Sequence, residues 1–266
     1  MRLVEAADGW QLLAYRQVSF AVVLFGALCL LYRGGLARAF RAVGRPGLVV
    51  AVALGTAFCA YVFALRATTV ADVVFVLSIS PFVAGLLAWL VLREPVRRGL
   101  WLAMIGAFAG MAIMVGGGLG QGALEGQLLA LISVAGYAVT LVAFRSRPQV
   151  DMLPAVCLAG ALSAVFALVM AGDLRLSPTD MAIGLALGVV QLGLQYILVT
   201  TGARHVPAAE VALLTRVQAI LAPLWVWLGI GEIPATTTLI GGAILLAAVS
   251  FHALGVLRAR PLAPEA

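Results

Sequence analysis

Gln191 and Gln195 stand four residues apart in an otherwise apolar run, so they project from one face of a helix, with Tyr196 beside the second. Paired amides donate and accept hydrogen bonds without carrying charge, which suits them to hold a polar solute. The same amides serve equally well to join neighbouring helices. Thr56 and Tyr61 offer hydroxyls in an earlier run, and Thr215, Arg216 and Gln218 place a guanidinium among polar side chains in a later one. Arg216 lies near the middle of its run, where it would either recognise an anionic or polar solute or clamp a neighbouring helix. Asp72 and Glu210 each fall in the first turn of a predicted helix, where the helix dipole favours a carboxylate. A partly desolvated carboxylate is also suited to carry a coupling proton, so both are candidates for that role. Tyr137, Thr140, Ser78 and Ser80 are secondary, because such hydroxyls often bond to their own helix backbone.

Other chemistries find no support. Cys29, Cys59 and Cys157 all lie in apolar runs and read as small buried hydrophobes, and their odd number argues against a disulfide framework. His205 and His252 are far apart, with neither His-Glu-x-x-His nor Cys-x-x-Cys spacing, so no metal site is expected. Gly116-Gly117-Gly118 is followed by Leu119-Gly120 and lacks the Lys-Ser/Thr of a phosphate-cradling loop. No catalytic residue and no cofactor is expected. A membrane-embedded enzyme would need a nucleophile, a metal or an acid–base pair deep in the chain, and the sequence supplies only an arginine.

The elements that must position these residues are membrane helices. Hydrophobic residues make up 64% of the chain and charged ones 11%, and the mean hydropathy is +1.12; a soluble domain needs more polar surface than that. Crossing ~30 Å of hydrocarbon takes roughly 20 apolar residues, and nine runs qualify: 13–32, 47–66, 70–92, 99–117, 126–144, 153–171, 181–200, 207–228 and 237–257. Glu5 and Asp8 stand where a cleavable signal would have its apolar core.

All 17 basic residues are arginine, and they alternate between connections. Arg33, Arg38, Arg41, Arg45, Arg93, Arg97, Arg98, Arg145, Arg147, Arg204, Arg258 and Arg260 fall on one side, against Arg66 and Arg175 on the other. Positive charge collects in short cytoplasmic loops, which predicts a cytoplasmic C-terminus and, with nine spans, an external Met1. The net charge of +6 then reflects topology and contact with anionic lipid rather than nucleic-acid binding.

The segment Tyr61 to Pro95 reappears as Val199 to Ile233: Arg66 meets Arg204, Ala71 meets Ala209, Asp72 meets Glu210, Trp89 meets Trp227 and Glu94 meets Glu232. The predicted opposite sidedness of Arg66 and Arg204 makes the two copies inverted, the arrangement of carriers built around a midplane site. Inversion requires an odd number of spans per copy. The second copy has five and the first four; laying Gly9 to Leu13 over Met152 to Val156 places the fifth before Met1. The expected units are 1–117, 118–258 and a tail, 259–266. Gly106-x-x-x-Gly110 and Gly184-x-x-x-Gly188 predict close helix contacts, and Pro81 and Pro223 predict kinks inside spans.

The pattern Tyr61-x-x-Ala64-Leu65, Ala71-Asp72, Ser80-Pro81-Phe82, Trp89-Leu90, Glu94 and Gly106-x-x-x-Gly110 resembles the EamA-type repeat of the drug/metabolite transporter superfamily. Ala219-x-x-Ala222-Pro223-Leu224-Trp225-Val226-Trp227 through Glu232 and Gly241 is similar to its second repeat, and Trp10-Gln11-Leu12-Leu13 ahead of Tyr15-Arg16 resembles the start of its second helix. The resemblance implies an all-α polytopic membrane protein of ten helices in two inverted bundles, with cytoplasmic termini, carrying small metabolites by alternating access. Here the first helix is expected to be absent, and Ala219 replaces the counterpart of Pro81.

The expectation is therefore a secondary transporter of a small polar or amphipathic metabolite in a bacterial inner membrane, an exporter or exchanger. A homodimer is left open. The alternative is a non-transporting structural or regulatory remnant.

Overall fold

The computed structural model describes residues 8–93, 98–118, 124–202, 228 and 236–258. The long elements are α1 (Gly9–Tyr32), α3 (Gly44–Ala67), α6 (Arg98–Gly118), α7 (Leu124–Ser146), α8 (Leu153–Ala171) and α11 (Thr236–Arg258). A 3-10 turn and short α2 (Leu36–Ala42) follow α1; one span is split into α4 (Val70–Leu77) and α5 (Ser80–Leu92); another comprises α9 (Pro178–Ala186), a π-helical segment (Leu187–Leu194) and α10 (Gln195–Gly202). Helix is the only regular structure among the described residues, as a lipid-spanning chain requires, because each backbone N–H and C=O must find its partner within the segment.

Among the described residues, six helical stretches are long and apolar enough to cross a membrane: Gly9–Ala42, Gly44–Ala67, Val70–Leu92, Leu124–Ser146, Leu153–Ala171 and Pro178–Leu198. Trp101–Ile113 and Thr236–Ala248 are shorter apolar helices. These stretches coincide with eight of the nine runs expected from sequence; of the other, 207–228, only Leu228 is among the described residues.

Helix ends follow local chemistry. Asp8 caps α1, accepting from the Gly9 N–H at 2.6 Å, while the Asp8 N–H donates to Gln11 Oε1 at 2.9 Å, a reciprocal capping box. Thr69 caps α4 and Ser177 caps α9 through their hydroxyl oxygens. The break between α4 and α5 belongs to Pro81, at the start of α5. Proline has no N–H to give the preceding turn; the Ser80 hydroxyl donates to the Leu77 carbonyl instead, and the Ser78 hydroxyl donates to Val74 O at 2.9 Å.

Packing reveals the symmetry. Along α1 and α8, the Trp10 ring lies 5.5 Å from Phe166, Phe20 packs on Gly160, and Tyr32 donates to Asp151 at 2.6 Å, so these helices are antiparallel. Gly47 meets Ala155 and Gly55 meets Ala159, making α3 parallel to α8. Gly184, Gly188 and Gly193 meet Leu12, Arg16 and Val23 in turn, making α9 and the π segment parallel to α1. The first-repeat helices α1 and α3 therefore run opposite to their second-repeat counterparts, α8 and α9–α10, as a pseudo-twofold axis in the membrane plane demands. The halves also interleave: α1 packs chiefly on α8, α9 and the π segment, and α7 on α3 and α5.

The chain ends of these helices define two faces. Gly9, Thr68, Gly126 and Gly172 mark one, whereas Tyr32, Gly44 and Asp151 mark the other. Arg33, Arg38, Arg41, Arg45, Arg93, Arg145 and Arg147 gather at the second face, and Arg66 and Arg175 at the first. Thr238 meets Asp72 at the first face, so α11 runs from there toward the arginine-rich face.

Candidate functional site

Arg16 lies inside α1, about 10 Å from its first residue at 1.5 Å per residue, and its side chain is 1% exposed. Its guanidinium carbon is 5.5 Å from the centroid of the Tyr61 ring on α3. Tyr61, Tyr196 and Cys59 are the titratable side chains that sense its charge. The neighbouring Gln17 is 0% exposed. Neither Arg16 Nε and Nη1 nor either amide atom of Gln17 has a hydrogen-bond partner among the described residues.

Magnitudes decide how to read this cluster. A desolvated cation–π contact is worth about 2 kcal/mol. Placing an arginine at the centre of a membrane helix costs at least ~2.5–3.5 kcal/mol, and each unsatisfied buried donor or acceptor adds about 1–3 kcal/mol. The Tyr61 ring alone leaves the layer undercompensated. A bound polar group that accepts from Arg16 would narrow that gap.

The walls of the layer are aromatic. Phe20 sits 5.6 Å from Phe58, edge to face, and 5.7 Å from Tyr196, centroid to centroid. The opposite side is shaped by the π-helical segment, a rare geometry often found where helices serve function. Gly188 lets that segment ride against the Arg16 carbonyl and Ser19 hydroxyl, because an added Cβ would overlap both. The Ser19 hydroxyl is within reach of Tyr15 O at 2.9 Å, Arg16 O at 3.1 Å and Leu185 O at 3.2 Å, tying the segment to α1.

Of the residues expected to contact substrate, Tyr61 lies in this layer. Gln191 and Gln195 are exposed, on the π segment and α10. Thr56 is exposed on the stripe of α3 that also carries Leu48, Val49 and Val52. Asp72 lies apart: 4% exposed, it accepts from the Thr68 hydroxyl at 2.8 Å through Oδ2 and from the Thr238 hydroxyl at 2.6 Å through Oδ1, joining α4 to α11. Of the secondary candidates, Thr140 donates to Gly136 O at 2.9 Å in its own helix, and Tyr137 is exposed. Thr215, Arg216, Gln218 and Glu210 lie outside the described residues.

Sequence reasoning missed Arg16 and Gln17. The signal was available: Arg16 is the only charged residue in the run 13–32. Nothing in the linear order showed Tyr61 and Tyr196 converging on it.

Comparison with known proteins agrees with this architecture. A solved crystal structure of a protein 21% identical in sequence superposes with a TM-score of 0.60, over 96% of this chain and 91% of that one, which speaks for the fold. Among curated proteins no match is found. The model of the EamA-like transporter family matches residues 1–116 and again 124–254. With both halves matched and the counterpart helices antiparallel, the chain belongs to the EamA-like transporter family, within the drug/metabolite transporter superfamily.

Proposed function

We propose that this chain is a secondary transporter that moves a small polar or amphipathic metabolite across a bacterial inner membrane by alternating access, as an exporter or exchanger. The observation that carries the reading is the buried guanidinium of Arg16, with Nε and Nη1 unpartnered among the described residues, beside Tyr61 and Tyr196 where interleaved inverted repeats meet. Rocking of two such halves exposes a central site to one face and then the other. The repeats would be 1–117 and 118–258, with 259–266 as a tail, and because they interleave each moving body would draw helices from both. Gln191, Gln195 and Thr56 would line the path to the layer, joined by Thr215, Arg216 and Gln218. Asp72 and Glu210 stay the candidates for proton coupling. The crowding of arginines at one face supports a cytoplasmic assignment of that face, and with it of the C-terminus.

Counterflow of labelled solutes in proteoliposomes tests the reading. Wild-type protein should exchange at least one solute, and Arg16→Gln and Tyr61→Ala should each lower that exchange at least about tenfold, the cost of one charge-assisted bond or desolvated cation–π contact. Exchange unchanged in both variants would remove the layer from the transport path.

A further inference from the structure

Resting on the transporter reading, we propose that the Arg16 layer binds a small organic monocarboxylate carrying an apolar or aromatic body. Charge is the first argument. Arg16 forms no ion pair among the described residues, and the buried carboxylate of Asp72 is held separately by Thr68 and Thr238. Among the described residues Arg16 is the one unneutralised guanidinium of the layer, and it calls for one negative charge. A dicarboxylate or a phosphate monoester, the latter carrying about −1.5 to −2 at neutral pH, would leave excess charge in a medium where each uncompensated ion is expensive.

Shape is the second argument. A planar carboxylate matches the planar guanidinium fork, the geometry in which arginine exceeds lysine. Beside the guanidinium stand the half-buried rings of Tyr61 and Tyr196, backed by the core residues Phe20 and Phe58, and ring faces reward an apolar or aromatic body. A lipid headgroup phosphate shares the oxyanion chemistry, but Arg16 is 1% exposed, enclosed by protein about two turns into α1.

The test uses the purified full chain in detergent free of anionic lipid, with phenylacetate, 4-methylvalerate, phenylacetamide, phenylmalonate and short-chain phosphatidylglycerol as probes. Binding is read by thermal stabilisation and by tryptophan fluorescence. Both monocarboxylates should bind at least about tenfold more tightly than the amide or the dianion, the ratio expected from one charge-assisted bond. Arg16→Gln should abolish the preference for acid over amide. Arg16→Lys, which keeps the charge and loses the fork, should bind the acids more weakly while preserving that preference, and it stands in if the glutamine variant does not fold. Equal binding of acid and amide by wild type, preference retained in Arg16→Gln, tighter binding of phosphatidylglycerol, or no binding of either monocarboxylate would each overturn the proposal. Counterflow separates it from the reading beneath it. Exchange of neutral solutes indifferent to Arg16 sinks only the carboxylate site, whereas Arg16-dependent carboxylate binding without exchange of any solute sinks only transport.

Discussion

Replacing Gly188 by alanine probes how the π-helical segment is seated. The new Cβ would overlap the Arg16 carbonyl oxygen and the Ser19 hydroxyl. The hydroxyl can rotate away, but the carbonyl belongs to the backbone of α1 and cannot. Restoring ordinary contact requires α1 and the π segment to part by about 1 Å, a gap that forfeits a quarter to a half of the dispersion energy between facing atoms. The contacts at stake are those of Leu12, Tyr15, Ser19 and Val23 with the π side, including the hydrogen bond from Ser19 to Leu185. Overpacking typically costs about 1–3 kcal/mol, and an unyielding backbone neighbour argues for the upper half of that range. Gly26 provides the control. It lies in α1, the facing helix, with nothing within 4 Å of an added Cβ, so Gly26→Ala should be neutral or stabilising by up to about 1 kcal/mol through helix propensity. Reversible unfolding of the purified protein in mixed detergent micelles, followed by helical circular dichroism, measures both. Stability of Gly188→Ala within about 0.5 kcal/mol of wild type, the scatter of neutral surface changes, would refute the close approach of α1 to this segment.

Two further outcomes follow from the same contacts. Thr238→Val keeps the shape of the side chain but removes the donor 2.6 Å from Asp72 Oδ1; a lost hydrogen bond to a buried charge costs about 1.5–3 kcal/mol, so the thermal midpoint should fall and Thr238→Ser should recover most of it. No change would show that Asp72 does not depend on α11. In a background with Cys29, Cys59 and Cys157 replaced, Arg175→Cys should react with a membrane-impermeant maleimide on intact bacteria, and Arg41→Cys only after permeabilisation, because these exposed positions lie at opposite faces. Labelling of both from outside would contradict the orientation.

Membrane residence, the helical class and eight of the span positions were legible in the sequence, because hydrocarbon thickness sets a length and water-free surroundings enforce helix. The duplication was legible as well, since Arg66, Trp89 and Glu94 recur in order with Arg204, Trp227 and Glu232. The interleaving of α1 with the second repeat and α7 with the first was not, because it depends on which glycines admit which backbones rather than on how many are present. Linear order passed over Arg16 and did not show that Thr68 and Thr238 converge on Asp72. A residue's type and span can be read from the chain, but its partners cannot. Only the packing of α1 against α3 and the π segment brought Tyr61 and Tyr196 around a guanidinium with donors to spare.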